Sequence, residues 1–469
     1  MDVKNNVYLA FLLILYCILC VNSSDLQYET SFNQLTKLFL ENKVALRSTL
    51  DVQAGWIQQP LDHFTSNSPT WKMRYFTALE YFRQNGPVFI YLGGEGTANP
   101  VHLKSGVIQE LAQETGGAMF MTEHRYYGLS KPYPNFNAET MKWLSSTQAL
   151  ADIAKLITYI KSDSKFMKSK VVMIGGSYPG NLAAWMRLKY PNLVDAAIAS
   201  SSPVLAKKDF YEYFEKVNEN YQKYGTSNCL LKTKSLFQRY KVLLQNVEGT
   251  TQLKRENNIC DTCDLKDIRN QWVFFLSKIN TFSQSSQYGG PIKIKNHCNL
   301  LEKYDTLNNL GQRISYAAFI DSFRRNSDIH AWFYQVCTEF GYFQTTTSKS
   351  QPFGDVNPKE FYLHICKDLF GADFNEARVD RGVQRSNYAY GGLRPNVTRV
   401  VFVNGDVDPW STISVLVTLS SEAPAVVIPG AVHCQDLSTT HYSPETLKQA
   451  TRYVKNVVKT WIGIGNGPK

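Results

Sequence analysis

Ser177 stands in the segment Met173-Ile-Gly-Gly-Ser-Tyr-Pro-Gly180, where residue types and spacing could support nucleophilic catalysis. An apolar run precedes the glycines and a helix-forming stretch follows, so the serine lies at a strand-to-helix turn. Such a turn, the nucleophile elbow, lifts the hydroxyl above a sheet and requires small neighbours. The usual pattern is G-x-S-x-G; here Pro179 takes the last position and Gly180 follows one step later. The alternative is a glycine-rich turn with an idle serine.

A serine nucleophile needs a histidine that takes its proton and a carboxylate that orients the histidine. Two of the eight histidines, His433 and His441, follow the last apolar run, Ala425-Val-Val-Ile428. His433 comes soon after this run and its Pro-Gly turn, whereas His441 lies farther along a polar loop. Position therefore favours His433 as the base.

Two aspartates, Asp406 and Asp408, follow the preceding apolar run, Val400-Val-Phe-Val403. A serine, an acid and a histidine in this chain order are typical of α/β-hydrolases. A histidine on the neighbouring loop could reach either aspartate, so spacing alone leaves the acid open between the two.

Short apolar runs bounded by glycines or polar turns predict strands that are buried on both faces. The predicted strands are 88–92, 118–121, 171–174, 196–199, 400–403 and 425–428. Helical spacing of apolar residues predicts helices over 147–162, 180–190 and 445–462. This alternation predicts a doubly wound, mostly parallel sheet of the α/β-hydrolase type.

Residues 207–391 lack that alternation and predict a mostly helical insertion over the carboxyl edge of the sheet. The chain then divides into a signal peptide (1–23), a first hydrolase part (24–206), the insertion (207–391) and a second hydrolase part (392–469). Six cysteines lie in the insertion: Cys229, Cys260, Cys263, Cys298, Cys337 and Cys366. The Cys260–Cys263 spacing also fits a redox or zinc pair, but a secreted chain without a second such pair favours disulfides. Cys434 is the odd thiol.

The N-terminus and the charge pattern indicate where the protein works. Lys4 and the apolar run from Val7 to Val21 are typical of a signal peptide, and the run is short for a membrane span. An uncleaved anchor is the alternative. We expect a secreted or lysosomal protein with no membrane association after signal removal.

The net charge is +10 without a Lys/Arg run of five, which does not favour a nucleic-acid partner. We expect no metal and no cofactor, and Asn396-Val-Thr398 is a glycosylation sequon.

Segments along nearly the whole chain resemble the family of lysosomal Pro-X carboxypeptidase, dipeptidyl peptidase II and thymus-specific serine protease. They are Gln59-Pro-Leu-Asp-His-Phe64, Gly93-Gly-Glu-Gly96, Glu123-His-Arg-Tyr-Tyr-Gly128, Gly175-Gly-Ser-Tyr178, Cys337-Thr-Glu339, Asn404-Gly-Asp-Val-Asp-Pro-Trp410 and Gly430-Ala-Val-His433. The resemblance implies Ser177 as nucleophile, Asp408 rather than Asp406 as acid, and His433 as base. Val432-His433-Cys434 replaces the His-His of the best-known members, which is closer to the thymus-specific branch.

The resemblance also implies a helical cap that narrows access to short peptides, a preference for proline beside the cleaved bond, and a Cys337–Cys366 disulfide. The pairing of the other four cysteines in the insertion stays open. A homodimer is an open alternative to a monomer. The function implied is a serine exopeptidase; an esterase or lipase on the same fold, or a catalytically inactive binding homologue, is the alternative.

Four residues near the nucleophile are candidates for binding the reacting group or the substrate. The backbone N–H groups of Tyr178 and Gly94 are expected to form the oxyanion hole. Glu95 is either a structural hydrogen-bonding residue or a reader of a substrate amine. Trp410, beside the acid, is either an apolar pocket wall or part of the core.

Overall fold

A computed structural model describes residues 50–304 and 315–464; the predicted signal peptide lies outside these residues. Eight strands form one sheet in the order β1-β2-β4-β3-β5-β6-β9-β10, and only β2 runs antiparallel to the rest. The strands are β1 (Gln53–Pro60), β2 (Thr70–Ala78), β3 (Val88–Tyr91), β4 (Ala118–Thr122), β5 (Val171–Gly176), β6 (Ala196–Ser200), β9 (Val400–Gly405) and β10 (Ala425–Ile428).

Helices cover both faces of this sheet because its central strands are apolar on both faces. Phe89 of β3 packs with α1 (Gly106–Thr115) and α13 (Glu445–Trp461) on one face. Ile90 points to the other face, where α2 (Ser146–Ser162) and α3 (Tyr178–Lys189) pack. This doubly wound, mostly parallel sheet has the α/β-hydrolase fold.

The sequence analysis did not predict β1, β2 or α1. In β2, Trp71 and Met73 are buried while the residues between and before them are exposed. β1 and β2 form the antiparallel end of the sheet, where strands alternate between apolar and polar residues, so they lack the continuous apolar run that marked the central strands.

Residues 207–391 fold mainly as helices. They are α4 (Glu212–Tyr224), α5 (Cys229–Leu243), α6 (Val247–Glu256), α7 (Ile268–Gln284), α8 (Gly290–Tyr304), α9 (Tyr316–Arg325), α10 (Ser327–Gln335), α11 (Lys359–Phe370) and α12 (Glu376–Tyr390). Two short strands, β7 (Lys207–Asp209) and β8 (Gly341–Phe343), pair in parallel. Two π-helical turns interrupt the helices, and we call them turn A (Ser285–Gly289) and turn B (Val336–Phe340). Among the described residues, no helix combines the length and apolarity needed to cross a bilayer.

Candidate active site

Ser177 occupies the turn between β5 and α3 with φ +63° and ψ −134°. A residue other than glycine rarely adopts such a positive φ, and it is held there by its surroundings. Its backbone N–H donates to the carbonyl of Ser200 over 2.9 Å. A Cβ on Gly175 would lie 2.1 Å from the Pro179 carbonyl oxygen, and one on Gly180 2.7 Å from the Ser200 carbonyl oxygen. The turn is therefore too tight for any side chain at either glycine.

Pro179, which departs from the usual elbow pattern, is accommodated by a glycine on another loop. A Cβ on Gly94 would lie 2.4 Å from Cγ of Pro179. Pro179 also stands in the first turn of α3, where proline needs no hydrogen-bond partner for its nitrogen. The departure thus leaves the strand–serine–helix geometry intact.

His433 contacts Asp408 and not Asp406. The distance between His433 Nδ1 and Asp408 Oδ2 is 2.7 Å, and Asp408 is fully buried. The other oxygen of Asp408 accepts from the Trp410 backbone N–H over 3.0 Å. Asp406 instead accepts from the Gly430 backbone N–H over 2.6 Å and pairs with Lys223 at 3.2 Å.

The histidine loop and the serine turn pack directly against each other. A Cβ on Gly176, which precedes Ser177, would lie 2.8 Å from Sγ of Cys434, which follows His433. The Cys434 backbone N–H donates to Oγ of Ser201 at the end of β6, over 2.9 Å. The fold therefore brings the loops of Ser177, Asp408 and His433 to one edge of the sheet.

The charged groups around His433 change the pKa of its imidazole. Burial alone would lower the pKa of His433, but the Asp408 carboxylate, with a contribution from Cys434, raises this pKa well above its usual value. Burial raises the pKa of the partly buried Cys434 thiol. Asp408 thus stabilises the imidazolium that would form when His433 takes a proton.

Tyr178, whose backbone N–H is a predicted oxyanion donor, has its side chain fixed in a buried chain of hydrogen bonds. Tyr127 O–H donates to Gln335 Oε1 over 2.6 Å, and Gln335 Nε2 donates to Tyr178 Oη over 2.9 Å. His124 Nδ1 lies 2.7 Å from the Arg125 carbonyl oxygen, which can only accept. The proton of His124 is therefore on Nδ1, and Nε2 accepts from the Tyr178 hydroxyl over 2.9 Å.

The segment 123–128 braces the site. Burial lowers the pKa of His124 to about 4, so this histidine is neutral and packed. Arg125 is fully buried and donates to both carboxylate oxygens of Asp152 over 2.6 and 2.8 Å, and His63 contacts the same carboxylate at 2.7 Å. Glu123 accepts from the Ala98 backbone N–H over 3.0 Å. Two of the sequence motifs, 59–64 and 123–128, therefore hold each other in place.

Glu95 and Trp410 occupy different surroundings. Oε2 of Glu95 is buried without a hydrogen-bond partner among the described residues, and burial raises the pKa of this carboxyl to about 7. Trp410 is only 2% exposed, and its ring lies 6.4 Å from the ring of His433 and 5.4 Å from that of Tyr342. Trp410 is thus packed behind the histidine.

Turn A of the insertion contacts the histidine loop. The sequence analysis did not single out the residues that make this contact. The Gln287 carbonyl accepts from the His433 backbone N–H over 3.0 Å, and the Tyr288 ring lies 5.9 Å from that of His433. The Asn220 side chain donates to the Val407 carbonyl over 2.7 Å, beside the acid. The sequence analysis missed Gln287, Tyr288 and Gln335 because they lie in or next to the π-helical turns, where helical periodicity is interrupted. Such turns are frequent at functional sites.

Three disulfides lie in the insertion. They join Cys229 to Cys298, Cys260 to Cys263 and Cys337 to Cys366, while Cys434 is a free thiol. Asn396 is exposed just before β9. Within residues 50–304 and 315–464, no three His, Cys, Asp or Glu side chains are grouped to hold a metal ion.

The sheet order and the strand–serine–helix turn define an α/β-hydrolase. A family model described as serine carboxypeptidase S28 matches residues 59–319 and 297–454. The chain belongs to this family and is a serine peptidase.

Known relatives extend over most of the chain. Thymus-specific serine protease of Mus musculus is 31% identical over 445 residues, which is 87% of each chain. Lysosomal Pro-X carboxypeptidase of Bos taurus is 27% identical, covering 94% of this chain and 92% of that protein. A solved esterase from Pyrobaculum calidifontis aligns with 99% of this chain and 100% of its own at 12% identity and a TM-score of 0.41, too weak a likeness to bear on substrate.

Proposed function

We propose that this serine peptidase is an exopeptidase that hydrolyses short peptides through Ser177, His433 and Asp408. The observation that carries the proposal is the 2.7 Å contact between His433 and the buried Asp408, on a loop packed against the Ser177 turn. A histidine oriented by a buried carboxylate beside an elbow serine is the arrangement that activates a hydroxyl.

The proposed reaction proceeds through an acyl-enzyme. His433 Nε2 takes the proton of the Ser177 hydroxyl while Oγ attacks the scissile carbonyl carbon. His433 then gives this proton to the leaving amine as the C–N bond breaks. A water molecule, deprotonated by His433, attacks the acyl-enzyme; the C–O bond to Ser177 breaks and the serine recovers its proton.

The oxyanion of the tetrahedral intermediate would accept from the backbone N–H groups of Tyr178 and Gly94. Tyr178 is the first residue of α3, where backbone N–H groups have no partner within the helix and the helix dipole favours negative charge. The close packing of Gly94 on Pro179 supports a role for its loop next to this helix end. Removing one such donor elsewhere lowers turnover by about 10²–10³.

The insertion is the proposed basis for selecting short peptides. Its turn A contacts the histidine loop, and Gln335 at the end of α10 contacts Tyr178, so a long or folded chain would meet helices above the serine. Trp410 would support the apolar side of the site from behind His433 without touching the substrate, since it is 2% exposed and its ring packs on the rings of Phe210 and Tyr342. The proline preference is suggested by the name of the relative lysosomal Pro-X carboxypeptidase.

Further proposals concern maturation. Residues 1–23 would be removed as a signal peptide, and Asn396 would carry a glycan because it is exposed. Three disulfides, together with relatives named lysosomal and extracellular, support a secreted or lysosomal location. We also propose that the insertion begins at residue 207 and ends at residue 391, and that the protein forms a homodimer.

Fluorophosphonate labelling and a peptide ladder test the proposal. Wild-type protein should be labelled on Ser177, and Ser177→Ala should not. Among peptides of 3 to about 30 residues with the same ends, the rate should fall steeply as length rises. Efficient internal cleavage of a long unfolded chain would contradict the cap argument. A matched ester hydrolysed while the corresponding amide is spared would favour the esterase alternative.

A further inference from the structure

Glu95 is a carboxylate placed among the groups proposed to do the chemistry. It follows Gly94 in the loop after β3, at the carboxyl edge of the sheet. Its charge acts on His433 and on four tyrosines that surround the site from different elements. These tyrosines are Tyr127, Tyr178, Tyr288 and Tyr342. The serine turn, the 123–128 segment, turn A and β8 therefore each place a tyrosine within electrostatic reach of this one carboxyl group.

Oε2 of Glu95 is buried and has no donor among the described residues. Buried polar atoms are nearly always hydrogen-bonded, so this oxygen, in the loop that follows β3, needs an explanation. A structural role is the ordinary one, and Glu123 shows what it looks like: its carboxylate accepts from Arg74, Ala98 and Ser130. Glu95 Oε2 lacks contacts of this kind.

Three of the four neighbouring tyrosine hydroxyls donate their single proton to other acceptors. Tyr127 donates to Gln335, Tyr178 donates to His124, and Tyr342 donates to the Pro203 carbonyl. Since no donor among the described residues reaches Oε2, this oxygen is left to accept from a group that arrives with the substrate.

We infer that Glu95 binds the free α-ammonium group of the peptide, so that the enzyme cleaves from the amino end of short peptides. This inference rests on the proposed function and specifies which end of the substrate enters beside Ser177. An ammonium brings three donors and a positive charge to a carboxylate oxygen. A terminal carboxylate at the same place would be repelled by Glu95.

The charge state of Glu95 fits this role at neutral pH. Burial raises the pKa of Glu95 to about 7, against smaller opposing effects of its own backbone N–H and of His433. The carboxyl is therefore close to half ionised at neutral pH, and an ammonium would favour the ionised form.

Paired substrates test which end is read. A fluorogenic dipeptide ending in proline is compared with its Nα-acetylated form, and a tripeptide is compared with its C-terminal amide. For the wild type at pH 7.5 we expect acetylation to lower kcat/KM at least about tenfold, as loss of a charge-assisted hydrogen bond does. Amidation should change it less than about threefold. In Glu95→Gln the preference for the free amine should fall below about twofold.

Control variants separate this inference from the proposed function. Glu139→Gln removes a carboxylate that is 89% exposed, and it should keep the full preference. Glu95→Asp retains the charge and should keep part of the preference, which covers the case in which Glu95→Gln does not fold. If fluorophosphonate does not label wild-type protein, the triad is refuted. Labelling with equal cleavage of free and acetylated substrates, or loss of cleavage on amidation, would refute the role of Glu95 alone.

Discussion

The carboxyl edge of the sheet and the helical insertion contribute to the site in different ways. Ser177, Asp408 and His433 all stand on short loops after β5, β9 and β10. The insertion supplies none of them, yet turn A and the end of α10 contact the His433 and Tyr178 positions through Gln287 and Gln335. We propose that these short loops carry the chemistry while the insertion sets orientation and access.

The largest expected effect distinguishes the two aspartates of the β9 loop. Asp408→Asn should lower kcat by about 10³–10⁴, because an amide no longer stabilises the imidazolium or sets its tautomer. Asp406→Asn is the matched control, since its amide oxygen can still accept from the Gly430 N–H. It should stay within about tenfold of the wild type. Steady-state rates on one fluorogenic peptide check this, and a greater loss for Asp406→Asn would overturn the assignment of the acid.

Removing the disulfides one at a time tests how much each contributes to the free energy of unfolding. Replacing Cys337 and Cys366 by alanine opens a link across 29 residues and should lower the free energy of unfolding by about 3–4 kcal/mol. Replacing Cys260 and Cys263, only 3 residues apart, should cost about 1–2 kcal/mol. Urea unfolding measures both.

Equal losses for the two pairs would contradict the loop-entropy argument. Peptide mapping without reduction should recover Cys434 as a free thiol. A Cys434–Cys337 link would refute the pairing scheme.

Gln335 tests whether the insertion orients the oxyanion donor. Gln335→Leu leaves the hydroxyls of Tyr127 and Tyr178 without their buried partner. We expect kcat to fall about 10–100-fold with KM nearly unchanged, since a shifted Tyr178 N–H would affect only the transition state. Tyr390→Phe is the control, because it removes another buried contact with the insertion, the 2.9 Å one to Ser146, away from the elbow. Similar losses of kcat in both variants would reduce Gln335 to a structural role.

The smallest expected effect is a pH dependence assigned to Glu95. The ratio of kcat/KM for the free-amine and acetylated substrates cancels the titration of His433, which acts on both. This ratio should rise about fivefold from pH 6 to 7.5 as Glu95, with a pKa of about 7, ionises. It should fall above pH 8 because the peptide amine loses its proton at about 7.7–8.0. A ratio that is flat from pH 6 to 7.5 in the wild type would contradict the assignment.

The serine turn and the central strands could be predicted because each depends on a short stretch of consecutive residues. The elbow at Ser177 excludes side chains at Gly175 and Gly180, so the glycines appear in the sequence. The six predicted strands were marked by apolar runs, and all six are present within a residue or two. The family, too, was recognisable from short segments, and the match of the S28 family model confirms it.

Other features were decided only by the tertiary structure, because they join residues far apart in the chain. Spacing could not distinguish Asp406 from Asp408; the first accepts from Gly430 and the second contacts His433. The pairing of Cys229 with Cys298 spans 69 residues, and no local pattern encodes it. Whether Oε2 of Glu95 has a hydrogen-bond partner depends on which acceptors the neighbouring hydroxyls donate to. Such accounting requires every partner in place, so sequence left Glu95 with two roles, and our proposal for one of them depends on the folded arrangement.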